Sequence, residues 1–445
     1  MSEEKNNKKK ISIIFAILRE EISGFKDIDH ILPFFHFLSE NKILEFNARI
    51  IIYENKSHYF QNKDPRIEFI SNLKNVELEF LYNDNFLVKV KKLFQLKNNY
   101  KWTNTYNNFI NKIYSNLLKI RKKNINLENR LGQNFINSEI PIVITLHSNN
   151  NAQQIVSQIK KINTNAKWMV LPHGTVITDN KMVLDSDLNK TEIITKNKNF
   201  EEIDYFFCTS KRDFENAITK GLLSHKGSII GSPRYCNEWI KIKKELKLDG
   251  KDVEIKKIYK VKILFLIPKK HINIFSEELV RTINFLLSFQ EFEIILLNYN
   301  LNFPKLPKQL LEKPNLRNYL IAKEYSTSKL IDWADVVFHA GTGVIFESFI
   351  KKKITVFPRY LTCNTLISDK YSAGYNLRNR DELRNFCNEA LISIDELKEK
   401  YEKKTEKNNK KYIDDFVYAN TKSVSDNIIH ELSLAIGKLY NIDKN

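Results

Sequence analysis

The sequence predicts an α/β fold of two doubly wound, Rossmann-like domains facing across a cleft, and three observations carry that prediction. Continuous apolar runs recur along the chain with helix-length stretches between them, as parallel strands covered on both faces require. The rhythm breaks once, in a Lys-rich stretch at 240–260, and then restarts. A length of 445 residues exceeds what one ordinary core organises and suits two domains.

The elements follow in order. Residues 1–10, MSEEKNNKKK, form a basic tail read as disordered, and the apolar stretch after them stops at Arg19-Glu20-Glu21, too soon for a signal peptide. Strand-like runs then lie at 11–18, 48–53, 76–81, 141–146, 168–171 and 204–208, which defines a first domain over 11–245. The turn signal KLDGKD centres a linker at 246–260. Runs at 261–267, 292–298, 335–338 and 354–357 define a second domain over 261–425, and VSDNIIHELSLAIGKLY gives a C-terminal helix within 426–445.

Composition narrows the partners. With 42% hydrophobic residues the chain has ample material for burial, and a formal charge of +18 attracts anions, so nucleotides, anionic lipid surfaces and nucleic acid are all candidates. The four cysteines, Cys208, Cys236, Cys363 and Cys387, lack CxxC spacing and companion histidines, which argues against a zinc site or a disulfide framework and fits a reducing cytoplasm. No run approaches the roughly 20 apolar residues that span a bilayer, so any membrane contact is peripheral. Residues 86–126 carry many Lys and Arg, no Asp or Glu, and apolar side chains at Tyr106, Phe109, Ile110, Ile113, Leu117 and Ile120 on one helical face. That segment suits an anionic membrane surface or a packed helix with a solvated basic face. It resembles no nucleic-acid module, so nucleic acid is not an expected partner.

Four of only eleven glycines fall in three short segments, each after a strand-like run: LPHGTV at 171–176, GSPRY at 231–235 and FHAGTGVIFE at 338–347. In the last, strand 335–338 leads through His339, Gly341, Thr342 and Gly343 into a helix beginning near Val344. Its unpaired amides and dipole favour a diphosphate. Glu347 in the first turn suits ribose hydroxyls, or simply complements the dipole. His173 at a strand end has the chemistry of a general base for an acceptor hydroxyl, or of a structural histidine bonding a loop carbonyl. His147 and Ser148 end the neighbouring strand and either join that rim or cap a helix.

Arg234, directly after the stiff Pro233 and beyond Gly231 and Ser232, can clamp a phosphate with two parallel hydrogen bonds, or form an interdomain salt bridge. Lys269, Lys270 and His271 add positive charge after strand 261–267, or form a solvated loop. Asp185-Ser186-Asp187 matches the DxD pattern that chelates divalent cations in metal-dependent sugar transferases, but no strand precedes it, so it is read as a chance match and no metal is expected.

This ordered set resembles the GT-B-fold transferases of bacterial surface polymers, in particular the CDP-glycerol glycerophosphotransferases and capsule polysaccharide transferases. The resemblance spans roughly residues 140–375. His173-Gly174-Thr175 matches the His-Gly-Thr segment that carries the base in that group, and Gly231, Pro233 and Arg234 match its Gly-x-Pro-Arg segment. Where the glycerophosphotransferases show an Asp-Tyr-Ser-Ser loop, this chain has His339-Ala340-Gly341-Thr342-Gly343 followed by Glu347, closer to sugar-nucleotide enzymes. The resemblance therefore implies a cytoplasmic glycosyltransferase without a required metal or other cofactor. It would take a nucleotide-sugar donor in the second domain and a saccharide or lipid-linked acceptor on the first. Transfer of glycerol phosphate, or 2-epimerisation of a sugar nucleotide, is the alternative, although ILREEISG at 17–24 matches the epimerases' Gly-Thr-Arg-Pro-Glu segment poorly.

Overall fold

The computed structural model describes residues 11–17, 24–41, 43–55, 65–82, 131–146, 148–175, 177, 198–255, 258–268, 274–298, 306–320 and 325–442. Among them stand two parallel sheets. The first holds β1 (Ile11–Ile17), β2 (Phe46–Asn55), β3 (Val76–Tyr82), β4 (Ile140–Thr145), β5 (Lys167–Val170), β6 (Tyr205–Cys208) and β7 (Gly227–Ile229), in the order 3-2-1-4-5-6-7. The second holds β8 (Val261–Ile267), β9 (Phe292–Asn298), β10 (Leu316–Leu320), β11 (Val336–His339), β12 (Ile354–Pro358) and β13 (Tyr375–Leu377), in the order 10-9-8-11-12-13. Both are doubly wound α/β sheets, as the apolar rhythm predicts. Each reverses its order once, between β1 and β4 and between β8 and β11, and ligands of such sheets bind beyond the strands' carboxyl ends at that reversal.

Except for 76–81, which forms the edge strand β3 and alternates apolar residues with Glu77 and Glu79, the predicted apolar runs lie on central or flanking strands. Burial on both faces forces them to be uniformly apolar: every residue of β4 and β11 is buried. The runs do not reveal β10 and β13, which sit at the second sheet's edges, are short, and carry polar residues within LRNYL and YNL. Helices begin at side-chain caps: Asn149 accepts the Ala152 N–H, Ser210 the Asp213 N–H, Ser326 the Lys329 N–H and Ser423 the Asp426 N–H. Each cap stabilises its helix by about 1 kcal/mol.

The helices that build the site are α1 (Gly24–Glu40), α2 (Lys211–Thr219), α3 (Asn237–Glu245), α4 (Thr327–Trp333), α5 (Ile345–Ile350), α6 (Ile394–Ile413) and α7 (Val424–Tyr440). The Lys-rich stretch thus begins inside a helix, α3, whose Trp239 packs in the aromatic core of the first sheet against Phe37 and Phe69. After it, Leu248 belongs to that core and Val253 to a core of the second sheet. The final helix returns to the first sheet. Ile428, Leu432, Ala435 and Ile436 pack in one cluster with Ile28, Ile31 and Phe35 of α1, and Asn427 donates to the Ile229 carbonyl at 3.0 Å. That cluster also takes in Phe346 and Phe349 of α5 and Phe416, so the two sheets share a continuous core.

The chain's return fixes the GSPRY turn. A turn of π-helix, Asp414–Tyr418, follows α6, and the Val417 carbonyl accepts the Ser232 N–H at 2.7 Å. Gly231 has φ +80°, and a Cβ there would stand 2.6 Å from that carbonyl oxygen. Backbone strain and steric overlap both oppose a side chain. Gly231→Ala is therefore expected to lower unfolding free energy by about 3 kcal/mol. Gly343→Ala, which meets open space without a left-handed φ, is expected to change it by less than about 0.5 kcal/mol. Urea unfolding of the two variants beside the parent chain checks the contrast.

Candidate functional site

The carboxyl edge of the first sheet gathers the predicted segments. Beyond β5 the chain passes Pro172 to His173 and Gly174. Thr175 then donates from Oγ1 to the Asp213 carboxylate at 2.8 Å. The same Asp213 oxygen also accepts from Thr209 and, at 2.9 Å, from Ser210, so the start of α2 anchors the His-Gly-Thr loop. Beyond β7, the GSPRY turn brings Arg234 and Tyr235 to the same place. A small cavity opens there, lined among others by His30, Thr175, Ser232, Arg234, Phe346 and Phe416. Phe346 comes from the second sheet's side, with its ring 5.9 Å from that of Tyr235.

Helix α1 contributes groups that sequence reasoning missed. The His30 ring stacks on that of His173 with centroids 4.5 Å apart and planes 29° from parallel. Arg234 Nη1 lies 2.8 Å from His30 Nε2. A guanidinium has only donors, so His30 Nε2 is the acceptor and carries no proton in this arrangement. Arg234 also stands 3.7 Å from the Asp29 carboxylate and over the Tyr235 ring. Asp29 is bonded in turn by Arg66 at 2.6 Å. Desolvation pushes the Asp29 carboxyl up, but the two guanidiniums outweigh it and hold the group below its usual range. The only sequence signal for these residues is their place on the helix after β1, beside the reversal of strand order.

The second sheet's loop has a different character from the one predicted. His339 is buried, 2% exposed, rather than presented to the cleft. Its ring stacks on Phe357, its Nδ1 accepts the Gly341 N–H at 3.4 Å, and burial pushes its pKa down to about 3. It shapes the loop as a neutral acceptor and offers no charge to a phosphate. Gly341, at φ +110°, supplies a left-handed turn. Thr342 Oγ1 accepts the Val344 N–H at 3.4 Å, and α5 follows with only six residues.

Glu347 lies at the seam between the sheets, 4% exposed. Lys243 of α3 stands 3.2 Å from its Oε1 and Lys351 3.0 Å, while Ser328 of α4 donates to the same atom. Lys243 also pairs with Asp249 at 3.3 Å, and Lys351 with Asp332 at 2.9 Å. Burial opposes the charge, yet the two lysines and the hydrogen bonds from Ser328 and Lys351 hold the carboxyl well below the usual range. Lys243, Lys351 and Ser328 carried no motif in the sequence.

The structure thus lines one cavity with Ser232, Arg234 and the His173 neighbours Gly174 and Thr175, stacks His173 itself on the lining residue His30, and seats Gly231 behind the turn. Of the 339–347 segment it brings Phe346 to the lining, and not the predicted His339, Gly341, Thr342, Gly343 or Glu347. Lys269, Lys270, His271 and His147 lie outside the described residues, as do 86–126 and the Asp185-Ser186-Asp187 match. Ser148 is described, and its carbonyl accepts from Asn199 at 2.6 Å. Among the described residues no group of three or more His, Cys, Asp or Glu is disposed to hold a metal ion, and no helix is long and apolar enough to cross a membrane.

No protein-family model matches the chain, and no curated protein is similar to it in sequence. Its fold is nevertheless shared with solved structures. One is Anabaena HepE in complex with UDP and glucose, at TM-score 0.52 and 11% identity, covering 95% of this chain and 100% of that one. Another is a putative UDP-N-acetylglucosamine 2-epimerase from Listeria monocytogenes, at TM-score 0.50 and 13% identity, covering 98% of each chain. A third is MnaA of S. aureus with UDP, at TM-score 0.50 and 12% identity, covering 96% of this chain and 97% of that one. At such identities the likeness establishes the paired Rossmann-like architecture.

Two measurements test the electrostatics. Because the Glu347 carboxyl is held below its ordinary value of 4.5, its stabilisation is full at neutral pH and is lost as pH falls below 4.5. Glu347→Gln is expected to cost about 3 kcal/mol at pH 7, since it leaves the lysines short of an anion, and to lose less on acidification than the parent chain. His339 works through the other partner of the equilibrium: the unfolded chain takes a proton below 6.5 that the folded one refuses until about 3, so stability declines across that window. His339→Asn, which retains an acceptor for Gly341, should flatten the slope between about pH 6.5 and 5 by up to about 1.4 kcal/mol per pH unit. Urea titrations at stepped pH read both effects.

Proposed function

We propose that the chain is a cytoplasmic, metal-independent glycosyltransferase that moves a sugar from a nucleotide-activated donor, of the UDP class, to a hydroxyl of a saccharide or lipid-linked acceptor of a surface polysaccharide. Pro172, Gly174 and Thr175 of the His173 loop meet Arg234 and Phe346 in one cavity, and that convergence carries this reading. The solved structures of like fold, which hold UDP or are described as UDP-sugar enzymes, support the donor class.

In this mechanism the diphosphate lies against the loop around Gly341, Thr342 and Gly343, and Glu347, buried and held by Lys243, Lys351 and Ser328, fixes the helix behind that loop. His173 takes the proton of the acceptor hydroxyl as that oxygen bonds to the anomeric carbon. The bond from this carbon to the phosphate oxygen breaks, and its electron pair leaves on the diphosphate. Arg234 and the loop amides stabilise the charge that develops there, usually the larger share of such catalysis.

A 2-epimerase is the second reading, favoured by the likeness to the Listeria protein. An epimerase turns over a sugar nucleotide without an acceptor, so incubation with UDP-N-acetylglucosamine alone separates the two.

A thermal-shift screen over CMP, CDP, UDP, GDP and their sugars should single out one nucleotide, because a ligand selective for the native state stabilises it by mass action. With the donor found, His173→Ala is expected to cut transfer about 10²-fold or more with donor affinity kept. Arg234→Ala should lose at least as much. Full transfer by His173→Ala would remove the base, and indifference to every nucleotide would remove the transferase.

A further inference from the structure

We infer that His30 is a positioning residue of the proposed reaction, holding the base and the phosphate clamp in fixed mutual geometry; the inference rests on the transferase reading of the cleft. His30 touches both groups through different parts of one ring. Its face lies on His173, with centroids 4.5 Å apart, and its edge accepts from Arg234 at 2.8 Å. His30 is itself fixed by its place on α1, where the adjacent Asp29 meets Arg66 and Arg234. The three side chains come from three separate elements, the helix after β1, the loop after β5 and the turn after β7; His30 and Arg234 line the cavity, and His173 stacks on His30.

The chemistry of the three groups assigns different tasks to the ring's two contacts. Arg234 can aim a planar fork at a phosphate only if the fork's orientation is set, and an acceptor at one Nη sets it. His173 must present a ring nitrogen to a hydroxyl within hydrogen-bond reach, and a stacked neighbour restricts how its ring can turn. A neutral imidazole suits the middle position. It accepts from the guanidinium without adding a second cation beside it, and it gives His173 a flat, uncharged surface when that ring becomes the imidazolium.

Two substitutions separate the edge from the face. His30→Gln retains an acceptor oxygen for Arg234 but removes the aromatic face. His30→Phe retains the face but has no acceptor. The parent chain and both variants are compared by calorimetric titration with UDP and by initial rates of UDP release from UDP-glucose and from UDP-N-acetylglucosamine, with water taking the sugar in place of the acceptor hydroxyl. Expected is a split: His30→Gln keeps UDP affinity within about twofold and loses about tenfold in kcat, while His30→Phe weakens UDP binding about tenfold. A parallel spectrum of histidine ring ¹⁵N nuclei should show one ring protonated at Nδ1 that changes when Arg234 is replaced by Gln, a readout that survives if a variant folds poorly. Parent-like constants in both variants, equal losses of both constants in both, or no such ring would overturn the inference while leaving the transferase intact. A parent chain that neither binds UDP nor releases it would overturn the transferase reading, and this inference with it.

Discussion

A carboxylate buried between two sheets must be given cations, and the placement of Glu347 imposes that demand on everything around the seam. Only one of its lysines is local: Lys351 lies four residues on, one helical turn away. Lys243 comes from α3, more than a hundred residues earlier and packed on the other sheet, and Ser328 from α4. Removing a buried partner of this kind costs several kcal/mol, whereas the assembled pair contributes little net stability, so the arrangement selects one docking of the halves rather than simply strengthening it. Since α3 begins directly after the GSPRY turn, the docking that satisfies Glu347 also delivers Arg234 to the cleft.

The chain's final segment closes the same arrangement from behind. The Val417 carbonyl accepts from Ser232, which is possible only because Gly231 brings no side chain, and α7 then lies on α1. Aromatic rings fill the space between: Phe346 stands 4.8 Å from Tyr412, and Tyr412 5.0 Å from Phe416. The core of the first sheet is therefore completed by residues from both ends of the sequence. The cavity wall formed by Phe346 and Phe416 is part of that packing, so the shape of the site and the stability of the seam are one problem.

Three histidines near the cleft differ through their surroundings alone. His339 is enclosed by apolar neighbours, which makes protonation costly and leaves it a neutral acceptor for a tight loop. His30 is kept neutral at Nε2 by a guanidinium that can only donate. His173 stacks on His30 beside the cavity, on a loop pinned by Asp213. Sequence gives each the same ring; neighbours decide which can exchange a proton with a substrate.

Unbroken apolar runs marked the strands buried on both faces, the single interruption marked two sheets, and glycines after strands marked the loops at their carboxyl ends, since these are local consequences of burial and backbone conformation. LRNYL and YNL, at the edges of the second sheet, escaped because burial on fewer sides imposes no such pattern. His30, Asp29 and Lys243 escaped for a different reason: an ordinary His-, Asp- or Lys-containing helix acquires its role only when distant elements supply Arg234, Arg66 and Glu347. Sequence alone determined that most of the buried strands exist, that they form two parallel α/β sheets, and where the chain turns after three of them. The tertiary structure alone decided which charges meet, because that depends on chain crossings, above all the return of the C-terminal helix to the first sheet, which no local pattern records.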